Sequence, residues 1–121
     1  MTIFIAENKS IALAELGSGV GNAIWPLLEL NENLIVYAFD FAKSAIEIMH
    51  NNHLYKEFNR KYNDNKNDDE NRKPQHKYRV LGQVCDLVND DIPIEPDSID
   101  YALCMFSLSA IAPEVPFFIL V

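Results

Sequence analysis

The chain is poor in cysteine, in glycine and in long apolar runs, and its last third has no basic residue. Among 121 residues there are only two cysteines, Cys85 and Cys104. They lie far apart and in no metal-ligand spacing, which excludes a disulfide framework and a zinc site and suits a reducing, intracellular and cytoplasmic setting. No apolar stretch reaches the roughly eighteen residues that a membrane helix needs. The first residues lack the basic start and apolar core of a signal peptide. Residues 80–121 contain no Lys or Arg, and the chain as a whole carries a net charge of −8. A free-standing nucleic-acid binder, with a basic patch and a high pI, is therefore not expected. Glycine is the most informative scarcity. There are four, and three of them, Gly17, Gly19 and Gly21, fall within five residues.

What is present is ordinary globular composition, with 49% hydrophobic and 23% charged residues, at a length that suits one domain. Charge divides it. Residues 56–79 carry eight basic and five acidic side chains, whereas the flanking segments are acidic. The stretch 59–77 (NRKYNDNKNDDENRKPQHK) is nearly free of aliphatic residues, and its composition predicts a disordered polar insertion.

Around this insertion the periodicity alternates. Residues 11–16 (IALAEL) read as a buried strand, 21–30 as a helix with Pro26 tolerated in its first turn, and 34–39 (LIVYAF) as a second strand. Residues 44–50 read as a helix, 78–85 as a third strand and 99–106 as a fourth. The pattern predicts an α/β fold with a parallel sheet. Its strand–helix–strand units are expected to be right-handed crossovers, with one helix after each of the first two strands.

The chemistry points to the turn after the first strand. In Glu15-Leu16-Gly17-Ser18-Gly19-Val20-Gly21-Asn22, glycines at alternate positions let the backbone turn sharply and approach a ligand. The spacing is not that of a dinucleotide fingerprint, because the third glycine comes one residue early. Asp40 closes the second strand and Asp86 the third, and ligands of open α/β sheets sit beyond these strand ends. A carboxylate at the first position can accept two hydrogen bonds from a ribose diol; one at the second can accept from an adenine amino group, with Leu87 packing on the base. Trp25 and Phe41 can be read as stacking platforms, but core packing is the expectation for both.

The E-x-G-x-G-x-G form resembles the first motif of class I S-adenosylmethionine-dependent methyltransferases. The longer strings ELGSGVGNAIWPLLELN, VYAFDFAKSAIEIM, VCDLVNDDIP and SIDYALCMFSLSAIAPE resemble the methyltransferase-like family of tRNA 3-methylcytidine methyltransferases. The resemblance covers residues 11 to about 114 outside the polar insertion. It implies the first half of a class I, Rossmann-like methyltransferase fold, with a parallel sheet in the strand order 3-2-1-4, and S-adenosyl-L-methionine as cofactor. It implies Gly17, Asp40, Asp86, Leu87 and Met105 as cofactor contacts, and the general methyltransferase pattern adds Glu15 and Gly19. It implies tRNA as the substrate, methylated at cytidine N3 in the anticodon loop, and a tRNA synthetase as a candidate protein partner.

The chain departs from the family in three places. About ten residues precede the first strand, where the family carries aromatic residues over the cofactor. Ala42-Lys43-Ser44 replaces a Ser-Pro-Arg string, and Ala112-Pro113 replaces His-Pro. A class I fold needs about seven strands and four are found, so residues 1–121 are expected to be a partial methyltransferase domain. The alternatives are a methyltransferase acting on a small molecule or protein, and a non-catalytic remnant. No residue is identified as a general base; Ser107 and Ser109 are expected to be turn hydroxyls.

Overall fold

The computed structural model describes residues 10–66, 76–95 and 97–104. Seven elements occur in the order β1 (Ile11–Leu16), α1 (Ile24–Leu30), β2 (Leu34–Asp40), α2 (Lys43–Asn51), α3 (His53–Lys66), β3 (Val80–Val84) and β4 (Tyr101–Leu103). The four strands form one sheet in the order β3-β2-β1-β4. All three pairings are parallel, with Leu13 opposite Val36 and Tyr101, and Val36 opposite Val80. The α/β class and the 3-2-1-4 order read from the sequence are thus observed.

The alternation of side chains along β1 builds two cores. Ile11 and Leu13 join Ile24, Trp25, Leu28, Ile46, Met49 and Val80 on the helix side of the sheet. Ala12, Ala14 and Leu16 join Phe39, Cys85 and Ile99 on the other side. All six residues of β1 are buried, as a central strand of a parallel sheet requires.

Helix α1 is shorter than expected. It begins at Ile24 rather than residue 21, and Pro26 is its third residue, within the turn whose N–H groups have no helical partner. Arg79 closes its other end. The guanidinium donates to the carbonyls of Leu28 and Asn31 at 2.6 Å each, and to that of Leu34 at 3.3 Å. Its carbon lies 5.0 Å from the centre of the Phe58 ring, which in turn stacks on Trp25. Burial pulls the Arg79 pKa down from its ordinary value.

The segment 59–77 corrects the composition-based expectation. Residues 59–66 belong to α3, and two helices, not one, follow β2. Asn52 separates them with an extended backbone, and its Oδ1 accepts the Leu54 N–H at 2.9 Å as an N-cap. Asn59 then ties α3 to the sheet. Its Oδ1 accepts the N–H groups of Arg79 and Val80, and its Nδ2 donates to the Val80 carbonyl. Tyr62 donates its hydroxyl to the carbonyl of His76. Few apolar residues are needed because α3 is held by polar side chains that complete the start of β3. Residues 67–75 lie outside the described residues.

Candidate cofactor site

The carboxyl ends of β1 and β2 are joined by one carboxylate. Gly17 and Ser18 both donate their N–H groups to the carbonyl of Phe39, at 2.7 and 2.9 Å, which carries the sheet into the turn. Asp40 then accepts the Gly19 N–H on Oδ2 and the Ala42 N–H on Oδ1, each at 2.8 Å. The β1–α1 turn and the β2–α2 turn are therefore fixed to each other.

Glycine is required here for two different reasons. Gly19 has φ +58° and nothing within 4 Å of where a Cβ would stand, so its constraint is the backbone and its outer face is open. Gly21 has φ +96°, and a Cβ there would lie 3.1 Å from the Trp25 ring and 3.3 Å from the Met49 methyl. Gly17 also takes a positive φ, of 79°.

Glu15 stands one residue before the end of β1 and is 3% exposed. Its Oε2 has no hydrogen-bond partner. Burial, reinforced by the negative charge of Asp40, pushes its pKa up to about 7.

Asp86 follows β3, which ends at Val84 rather than at residue 85. The Cys85 N–H still bonds the Asp40 carbonyl at 2.9 Å and leads Asp86 to the same edge of the sheet. There Asp86 closes its own turn. Oδ1 accepts the N–H groups of Val88 and Asn89, and Oδ2 accepts from the Asn89 side chain. These bonds hold its carboxyl below the ordinary range. Leu87 is half-buried against the core on the side of the sheet away from the helices. Met105, Ser107 and Ser109 lie outside the described residues.

Phe41 corrects the sequence reading. It is 76% exposed at the end of β2, beside Asp40, and is not a core residue. Val84 and Val88, at and beyond the end of β3, are also exposed. The carboxyl edge thus offers apolar surface next to two carboxylates. The available signal for Phe41 was its place directly after a strand-ending acid, where the in-and-out alternation of the strand no longer applies.

A parallel 3-2-1-4 sheet with an E-x-G-x-G-x-G turn after its first strand and an acid at the end of its second is the first half of a Rossmann-like methyltransferase fold. Known proteins place the chain more narrowly. It is 34% identical over 110 residues to a tRNA N(3)-cytidine methyltransferase of Homo sapiens, a match covering 89% of this chain and 32% of the human protein. It is 35% identical over 114 residues to the tRNA(Thr) (cytosine(32)-N(3))-methyltransferase of Saccharomyces cerevisiae, covering 89% of this chain and 15% of the yeast protein. It is 33% identical over 111 residues to O-methyltransferase 3 of Dictyostelium discoideum, covering 89% and 21%. No family model matches. The chain spans about a third or less of the length of these curated relatives. Over that segment it is similar to tRNA N(3)-cytidine methyltransferases. Among the described residues, no helix is long and apolar enough to cross a membrane.

Proposed function

We propose that this chain forms the cofactor-binding part of an S-adenosylmethionine-dependent methyltransferase that acts on cytidine N3 in tRNA. The observation that carries the reading is the Asp40 carboxylate locked between the glycine turn and the start of α2. Each Asp40 oxygen accepts one backbone N–H and keeps a lone pair for a ribose hydroxyl. The site suits a cationic nucleoside on two further counts. Gly19 leaves open space above the turn, and Glu15 holds a buried carboxyl oxygen that nothing in the described residues satisfies.

In this reading Glu15, Gly17, Gly19 and Asp40 hold the ribose and the amino-acid end of the cofactor. Asp86, Leu87 and Met105 border the adenine, and Phe41 adds an exposed aromatic face to that border. The cofactor, when bound, supplies a sulfonium whose methyl group is electrophilic. The protein orients donor and acceptor for in-line transfer. The choice of cytidine N3 in tRNA rests on the names of the relatives.

The test has two parts. Calorimetry should show S-adenosylhomocysteine binding to the chain. The polypeptide encoded by the gene should transfer a labelled methyl group to tRNA, and nucleoside mass spectrometry should find 3-methylcytidine. Label on oxygen of another acceptor, with none in tRNA, would instead favour the O-methyl transfer named for the Dictyostelium relative.

A further inference from the structure

The Glu15 side chain makes no hydrogen bond or ion pair among the described residues, where its carboxyl is nonetheless one of the most deeply buried polar groups. It shares a face of β1 with Ile11 and Leu13, which lie in the apolar cluster under α1 and α2. An ionised carboxylate so placed, without a partner, is strongly disfavoured, and the group keeps its proton unless a cation comes to it.

Among the described residues, those around Glu15 supply no such cation. Asp40 at the end of β2 is negative and bears directly on Glu15. The β4 side brings Asp100, whose Oδ2 takes the Ala12 N–H at the other end of β1, together with Tyr101 and Cys104. Helix α1 carries only Glu29, which is exposed. On α2, Lys43 and Glu47 face each other at the surface, and His50 donates to the Gly82 carbonyl.

We propose that Glu15 is a proton-exchanging counter-ion, protonated below neutral pH while no cation is beside it and ionised once the ammonium of a ligand's amino-acid end arrives, so that binding below neutral pH releases up to one proton. The proposal rests on the cofactor reading above. In the step, the O–H bond of the Glu15 carboxyl breaks, its electron pair stays on oxygen, and the proton passes to buffer. The ligand ammonium keeps all its protons.

The experiment is calorimetric titration of the chain with S-adenosylhomocysteine at pH 6, 7 and 8, in phosphate and in imidazole, whose ionisation enthalpies differ. At pH 6 close to one proton should be released per ligand, falling towards none at pH 8. Affinity should rise up to about tenfold per pH unit below pH 7 and level off above it. 5′-Methylthioadenosine, which has no ammonium, should bind without proton release. Glu15→Gln should weaken S-adenosylhomocysteine binding and abolish the release. A carbon-13 titration of the Glu15 carboxyl should show its midpoint moving from about 7 without ligand to below about 5 with it. Binding without proton release at pH 6, or equal release with both ligands, would overturn the proposal and leave the cofactor reading intact. No binding of either ligand at any pH would overturn both.

Discussion

Gly19 donates its N–H to Asp40 Oδ2 across 2.8 Å, and the same carboxylate takes the Ala42 N–H through its other oxygen. A residue that the sequence suggests for a ribose is therefore also the strut that shapes the turn beneath it. Asp40→Ala should lose both duties. Binding of S-adenosylhomocysteine should weaken by at least about 1.5–3 kcal/mol, the value of charge-assisted hydrogen bonds. Amide exchange at Gly19 and Ala42 should quicken in the variant, and unchanged affinity would count decisively against the site.

The pH dependence of stability should carry the mark of Glu15. Its pKa in the folded chain is about 7, against an ordinary 4.5. The folded state thus binds the proton more tightly than the unfolded state. That stabilisation is complete below pH 4.5 and is lost as pH rises to 7, amounting to roughly 3 kcal/mol. Urea unfolding at pH 4.5, 6 and 7.5 should show native stability falling relative to Glu15→Gln across that interval; parallel curves would contradict the assignment.

Asn59→Ala should cost about 2–4 kcal/mol, since it removes three hydrogen bonds and leaves the N–H groups of Arg79 and Val80 short of an acceptor at the start of β3. Chemical denaturation would measure it. For the same reason, deletion of residues 59–66 should unfold the domain, contrary to the neutrality that a disordered insertion would predict.

Gly82→Ala is the corresponding test of packing between α2 and the edge strand β3. A Cβ at Gly82 would stand 2.5 Å from the Met49 sulfur. The His50 ring and the Tyr55 hydroxyl hold the backbone there in place. Overpacking of this kind costs about 1–3 kcal/mol. A drop in thermal midpoint that is smaller in a Met49→Ala background than in the parent chain would confirm the clash as its cause.

The fold class and the residues at the strand ends were legible because they depend on local signals, whereas the strand order was legible only through the family resemblance. Apolar runs of strand length, a helical apolar period, and glycines where a backbone must take positive φ can each be read from a few neighbours. Asp40 was legible in the same way, as the acid that ends β2. Three features needed the tertiary structure. Composition made 59–66 look too polar to order, but Asn59 and Tyr62 find their partners on the strand that begins at Val80 and at His76, which no local window contains. Phe41 is aromatic in a chain that buries Trp25, and only the end of the sheet beneath it leaves it exposed. Glu15 could be recognised as part of a motif from its spacing. That it is buried without a cation, and so holds a proton near neutrality, followed only once the sheet and helices had closed around it and placed Asp40 beside it. Hydrophobic period and turn chemistry act between neighbours in sequence, whereas desolvation and long-range hydrogen bonding depend on which distant residues share a volume.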